Sequence, residues 1–276
     1  MQLGLPYGIN NPHGKPSLEE AFAILDAAKD LGISKIDTAD TYGNSEEILG
    51  NYLAAKGGFE LYSKFTFTPE KTNITACLNR SLLRLQQPKI AGYSFHKFKD
   101  FSDYRNLEEL PTLIGVKTEH LGISVYSNQE FLSAIKSDLV GIIQIPLNLL
   151  DHKEQKENLL SLAKKAGKIL HVRSVYLQGL FFKDPLTFPQ KLRPLLPHIE
   201  RLKMIASGSN LNLSELAFLY PFSIPEIDAV LVGVESAKQL REGMGALAKG
   251  PLSSEACREI EKTRVEDSQL LSPVNW

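Results

Sequence analysis

Apolar positions along the chain follow two alternating rhythms. Short apolar runs suit strands, and stretches in which apolar residues return every three or four positions suit helices. Ser17-Leu18-Glu19-Glu20 has the form of a capping box. The helix it opens puts Leu18, Phe22, Leu25 and Ala28 on one face and stops at Gly32. Ile33 to Thr38 reads as a strand ending on Asp37. Asn44 with Glu47 forms a near capping box, with Asn for the usual Ser or Thr, before a helix carrying Ile48, Leu49, Tyr52 and Leu53. After Gly57-Gly58, Phe59 to Phe67 is a strand with Lys64 embedded in it. Asn73 to Leu85 is a helix with Ile74, Leu78, Leu82 and Leu85 on one face, and Lys89 to His96 is a strand ending in a histidine. The same alternation continues. A helix at Leu107 to Lys117 is weakened by Pro111. It precedes a strand at His120 to Val125, a helix at Asn128 to Ser137 and a buried strand at Gly141 to Pro146. A helix at Lys153 to Ala166, closed by Gly167, leads to a strand at Lys168 to Tyr176. A loop with Pro185, Pro189, Pro194 and Pro197 follows. Helices are expected at Leu195 to Ser207 and Leu213 to Tyr220, a strand at Ile227 to Val232, and helices at Ala237 to Ala248 and Ser253 to Val265.

Such alternation without a linker or composition shift predicts one α/β domain over residues 1–276, a parallel sheet with helices outside. With a fragment near Met1 to Leu5 the count reaches eight strands. The chain length and the absence of G-x-G-x-x-G favour a (β/α)8 TIM barrel over an open doubly wound sheet.

Composition narrows the function classes. The net charge of −1 gives no field to draw nucleic acid or an anionic membrane. No apolar run reaches the roughly 20 residues of a membrane span. The N-terminus lacks the basic and apolar regions of a signal peptide. Cys77 and Cys257 have no metal or redox spacing and are expected to be reduced, in a cytoplasmic protein.

Four polar residues stand at or just beyond three successive predicted strand ends: Asp37, Tyr42, Lys64 and His96. In a barrel they converge on the C-terminal rim, where sites are built. A lysine in an apolar strand is costly unless a carboxylate compensates it, and Asp37 is the obvious partner. An ammonium beside a phenol stabilises the phenolate, as a tyrosine general acid requires, and a nearby imidazole can donate a hydrogen bond to a carbonyl oxygen. The motifs H-E-x-x-H, G-x-S-x-G and the P-loop are all absent. The histidines at 13, 120, 152, 171 and 198 read as surface or packing residues.

Over almost its whole length the chain resembles the aldo-keto reductase superfamily, on the strength of D-T-A-x-x-Y-G at Asp37 to Gly43, then Ser45-Glu46 and Leu49-Gly50. The resemblance implies a (β/α)8 barrel that transfers hydride between NADPH, less often NADH, and a carbonyl or alcohol. The catalytic set would be Asp37, Tyr42, Lys64 and His96. Ser124 and Gln144 match residues that hold the nicotinamide carboxamide, with Val125 in place of an Asn. Ser174, Leu177, Gln178 and Gly179 match the loop around the pyrophosphate. Gly233, Ser236, Gln239 and Glu242 match the adenosine end, with Gly243 in place of an Asn. Arg173 stands where many members stack an aromatic ring on the nicotinamide. Its charge is unfavourable beside an oxidised, cationic ring, so it is expected to turn partly toward substrate or pyrophosphate. Members usually have several more residues ahead of MQLGLPYG, so the first strand is expected to be a stub.

The substrate class implied is a small carbonyl compound or sugar, and the state a monomer or small homo-oligomer. The main rival is a barrel that binds NADP(H) and regulates without turnover. A phosphate-binding barrel isomerase has only Gln178-Gly179 and Gly233 in its favour. The apolar tail, with Leu270, Leu271, Val274 and Trp276, is expected either to pack on outer helices or to wall the substrate pocket.

Overall fold

Among the described residues seven strands form one parallel sheet, and their order in space is their order along the chain. The computed structural model describes every residue except 1, 7, 10, 12, 69–72 and 157, and at Val274 the backbone alone. The strands are β1 (Lys35–Asp37), β2 (Glu60–Phe65), β3 (Ile90–Phe95), β4 (Thr118–Ser124), β5 (Ile142–Pro146), β6 (Ile169–Arg173) and β7 (Ala229–Val230). The helices are α1 (Leu18–Asp30), α2 (Ser45–Lys56), α3 (Ile74–Leu85), α4 (Phe98–Asp103), α5 (Leu110–Leu113), α6 (Asn128–Ile135), α7 (Leu159–Lys165), α8 (Leu196–Gly208), α9 (Leu213–Phe222), α10 (Ala237–Ala246) and α11 (Ser254–Glu261). No helix among the described residues is long and apolar enough to cross a membrane.

Strands β2 to β5 are buried almost throughout, as a parallel sheet covered on both faces requires. Contacts between strands far apart in the order show that the sheet curls on itself. The Tyr62 ring of β2 meets His171 of β6 edge-on, with centroids 5.0 Å apart. Asp37 of β1 is hydrogen-bonded to Gln144 of β5. The interior is a packed barrel core.

Among the described residues β1 and β7 do not pair. Of the strand expected at Met1 to Leu5, Met1 lies outside the described residues. Leu3 is buried in the core, and Gly4 makes a single parallel bridge to Gly43. The ring of helices closes where the sheet does not. Helix α1 packs on α10 through Ala27, Ala28 and Leu240.

Local chemistry accounts for the agreements and the departures. Ser17 caps α1, and Glu20 returns the bond to the Ser17 N–H at 2.8 Å. Leu18, however, is exposed. Because α1 also packs on α10, its buried stripe runs through Ala21, Ile24, Leu25, Ala27 and Ala28. Asn44 opens α2 without capping it. Its φ of −93° and ψ of 24° leave the extended region a capping residue needs, and its Oδ1 accepts from Lys15 Nζ at 2.7 Å. The Leu107 to Lys117 helix becomes a 3-10 turn, Leu107–Glu109, followed by the short α5 with Pro111 in its first turn. The Lys153 to Ala166 helix becomes a 3-10 turn, Lys153–Lys156, and α7. The last strand shortens to two residues. Beside it the Asp228 N–H donates to the Leu170 carbonyl at 2.9 Å and its carboxylate accepts from Leu170 N–H at 2.7 Å.

The tail folds into short 3-10 turns. Trp276 donates its indole N–H to the Leu270 carbonyl at 3.0 Å, and Lys191 donates to the Asn275 carbonyl. The tail therefore rests on the Gln190–Leu195 turn that follows β6.

The packing of α2 on α3 depends on Gly50. A Cβ there would sit on the Arg84 carbonyl oxygen and 2.9 Å from the Leu85 carbonyl carbon, both backbone atoms. Gly50→Ala is expected to destabilise the fold by about 2 kcal/mol, the usual scale of overpacking. Urea unfolding checks this; a variant as stable as the parent would show that the two helices can separate freely.

Candidate active site

The strand ends place the four predicted residues around one point of the barrel mouth. Asp37 closes β1, Lys64 lies one residue before the end of β2, and His96 follows directly on β3. Parallel register sets Lys64 beside Ser94 and Phe65 beside Phe95, so the ends of β2 and β3 are level. Tyr42 enters from the β1–α2 loop. That loop is fixed by the Tyr42 N–H on the Ala39 carbonyl at 3.1 Å and the Asp40 N–H on the Lys64 carbonyl at 2.8 Å.

Lys64 is 1% exposed and donates to Asp37 Oδ1 and to the Thr38 carbonyl, the latter at 2.9 Å. The second Asp37 oxygen accepts from Gln144 Nε2 at 3.1 Å. Burial pushes the Asp37 carboxyl up, but the Lys64 charge and the two hydrogen bonds outweigh it and hold the group below its ordinary value. Burial likewise works against the Lys64 charge, and Asp37 outweighs it, leaving the ammonium firmer than usual. Both partners are therefore ionised. The ammonium lies 5.3 Å from the centre of the Tyr42 ring.

His96 stands edge-on to Tyr42, with ring centroids 5.7 Å apart. Burial and then the Lys64 charge depress its pKa to about 3, so the imidazole is neutral at working pH. Its Nδ1 lies 3.3 Å from the Thr41 hydroxyl. Thr41 was not among the sequence candidates, although it precedes Tyr42 inside the D-T-A-x-x-Y-G stretch.

The residues expected to hold a cofactor fall into two groups. Ser124 ends β4 and Gln144, its register neighbour, lies in the middle of β5, both buried. Arg173 ends β6 and reaches both Ser124 and Ser174, the first residue of the expected pyrophosphate loop. Its Nε donates to Ser124 Oγ at 3.2 Å, its terminal nitrogens to the Val125 carbonyl at 3.1 Å and Ser174 Oγ at 3.2 Å. The planar guanidinium lies 4.2 Å from the centre of the Tyr126 ring.

The second group follows β6 and β7. Ser174, Leu177, Gln178 and Gly179 all have positive φ, of 63°, 47°, 56° and 87°. Three of these are not glycine, a strain of about 1–3 kcal/mol each that persists only where the surroundings impose it. Here the N-terminal segment contributes: Ile9 N–H donates to the Gln178 carbonyl at 3.1 Å and Lys183 Nζ to the Ile9 carbonyl at 3.2 Å. Past β7, Ser236 caps α10 and Gln239 accepts from the Glu235 N–H at 2.8 Å. Glu242 faces Lys238 at 3.9 Å, and Gly233 is exposed. Gly8 joins the two loops, since a Cβ on it would lie 3.3 Å from the Gln178 carbonyl and 3.7 Å from Glu235 Oε1.

Residues 2–264 match the family model described as the aldo/keto reductase family. The chain belongs to the aldo/keto reductase family. The reductase is 24% identical to an uncharacterized oxidoreductase, YqkF, of Bacillus subtilis, over 90% of this chain and 89% of that one. It is also 24% identical to an L-glyceraldehyde 3-phosphate reductase of Escherichia coli K12, over 98% and 90%. Its fold is similar to that of the holo form of aldo-keto reductase AKR11C1 from Bacillus halodurans, with a TM-score of 0.72, 24% identity and coverage of 91% and 90%. The reductase is thus an NAD(P)-dependent oxidoreductase with a (β/α)8-type fold.

Two tests probe the electrostatics of the reductase. Lys64→Met leaves the Asp37 charge buried without its partner, at a cost of about 3–5 kcal/mol. Adding Asp37→Asn removes that charge and should recover part of the loss in urea unfolding. A double variant no more stable than Lys64→Met would deny that the orphaned charge is the cause. The second test concerns pH. His96 and His171 sit at about 3 and about 4, both depressed first by burial, against about 6.5 in the unfolded chain. The unfolded chain binds protons that the folded one refuses as pH falls below about 6.5. Their stabilising contribution is complete above that value and is lost toward pH 4 to 3. His96→Asn should flatten stability against pH in that window, and an unchanged slope would mean that His96 is open to protons.

Proposed function

We propose that the reductase reduces a small-molecule carbonyl compound, an aldehyde, ketone or sugar, to an alcohol, or runs the reverse, with Tyr42 as general acid or base. The observation that carries this reading is a buried ammonium held by Asp37 and facing the Tyr42 ring, with a neutral imidazole on the ring's edge. A buried ion pair is a poor device for stability alone. Here it fixes a positive charge beside a phenol, where it stabilises the phenolate left when the proton passes to the carbonyl oxygen. When Thr41 donates to Nδ1, the His96 proton sits on Nε2, where it can hydrogen-bond and orient the same oxygen.

The donor set of Ser124 on β4 and Gln144 on β5 suits a nicotinamide carboxamide. Gln144 has given its Nε2 to Asp37, so its carbonyl oxygen is left to accept from the amide. Ser124 Oγ accepts from Arg173 and keeps its own proton to donate. The dinucleotide supplies the hydride when it is bound. Ser174, Leu177, Gln178 and Gly179 would take the pyrophosphate, and Gly233, Ser236, Gln239 and Glu242 the adenosine end. Lys238 and Arg241, the basic residues available to a 2′-phosphate, are exposed and face Glu242 and Asp30. Exposed charges contribute little, so NADPH and NADH are both expected to serve, NADPH modestly better. The expected setting is the cytoplasm, with a monomer or small homo-oligomer as the working state.

Tyr42→Phe should lower kcat by at least about a hundredfold, the scale of general acid catalysis, while NADPH affinity measured by fluorescence stays near that of the parent. A variant within a few-fold of the parent on the same carbonyl removes Tyr42 as proton donor. A parent that binds NADPH yet reduces no carbonyl in a broad panel favours the regulatory barrel.

A further inference from the structure

We infer that Arg173 makes the nicotinamide subsite select the reduced, uncharged ring over the oxidised, cationic one. The inference rests on the proposed cofactor reading and concerns a charge that the proton-transfer chemistry does not use. Arg173 is half-buried and anchored on three sides, to Ser124, to the Val125 carbonyl and to Ser174, with its plane against Tyr126. An arginine so held cannot swing away at little cost, because each lost bond leaves a donor or acceptor at a partly covered site. Among the described residues no carboxylate forms an ion pair with it. Asp37, the carboxylate of the mouth cluster, is committed to Lys64 and Gln144. The Arg173 charge nevertheless reaches this cluster, adding to burial and to Lys64 in keeping a proton off His96. Asp37 and Lys64 cancel and His96 is neutral, so nothing in this cluster offsets the positive charge of Arg173.

That charge touches the Ser124 hydroxyl, the group that would hold the carboxamide. Whatever ring is seated there lies next to the guanidinium. Oxidised nicotinamide carries a full positive charge on the ring, and the reduced ring carries none. Like charges side by side in a half-covered site disfavour the oxidised form. The adenosine and pyrophosphate contacts are the same for both forms and cancel in the ratio of affinities. After a carbonyl has been reduced, the oxidised dinucleotide is therefore the form this mouth releases more readily.

The test measures the dissociation constants of NADH and NAD+ for the parent, Arg173→Gln and Arg173→Lys by protein fluorescence at low salt. The parent is expected to hold NADH more tightly by about tenfold beyond what Arg173→Gln shows, with Arg173→Lys close to the parent. The gain on Arg173→Gln should come mainly from tighter NAD+ binding. A ratio unchanged in Arg173→Gln, or an equal loss for both forms, overturns the inference and leaves the cofactor reading standing. A parent that binds neither form, nor their phosphorylated counterparts, overturns the cofactor reading and the inference with it. Should Arg173→Gln fail to fold, salt decides. Screening should shrink the parent's preference for NADH, and a preference indifferent to salt overturns the inference.

Discussion

The pairing of Asp37 with Lys64 is the constraint on which the mouth of the barrel depends. It ties the ends of β1 and β2. Through Gln144 it reaches across to β5, so one carboxylate links the side of the mouth proposed to handle the proton to the side proposed to hold a carboxamide. Neither ion could be so enclosed without the other, because isolated buried charges neutralise or unfold the site around them. The second Lys64 hydrogen bond, on the Thr38 carbonyl, holds the start of the loop that carries Tyr42. The charge that would tune the phenol thus also helps to place it.

Around that fixed centre the rim is assembled from strained and borrowed parts. The loop after β6 holds four residues at positive φ, three of them with side chains, and the N-terminal segment is hydrogen-bonded to it. Gly8 lies where a side chain would press on both Gln178 and Glu235. Such strain gathers where backbone groups must face a ligand, and the proposed pyrophosphate loop is such a place. Among its described residues, the segment ahead of α1 bridges to Gly43 at Gly4 and bonds to this rim through Ile9.

Arg173 stands where the resemblance to the family implies a stacked aromatic ring. A ring at the end of β6 would offer a neutral surface. The guanidinium offers a plane of similar extent, stacked on Tyr126, together with a charge. On the proposed cofactor reading, the arginine would exchange a contact indifferent to the ring's oxidation state for one that responds to it.

Much of this protein was legible in its residues because the information is local. Alternating periods located the strands and most helices. Ser17 with Glu20 marked a helix start that the chain does form, and the Ile74, Leu78, Leu82 and Leu85 stripe is the buried face of α3. The spacing of Asp37, Tyr42, Lys64 and His96 against strand ends was enough to gather them, since parallel strands deliver their ends to one rim. Other features depend on contacts between residues far apart in the chain. Asn44 resembles a cap in sequence, yet its backbone angles and Lys15 decide otherwise. Leu18 fits a helical stripe, yet α10 rotates the buried face of α1 away from it. The Gln144 bond to Asp37 spans 107 positions, and the turn of Arg173 toward Ser124 spans 49. No local period encodes either contact, because a curled sheet makes neighbours of residues whose separation along the chain is arbitrary. The sequence by itself determined the alternation and the chemistry available at each strand end, through propensities and charges that act within a few residues. Only the tertiary structure decided which of those groups meet, because the curl of the sheet sets that.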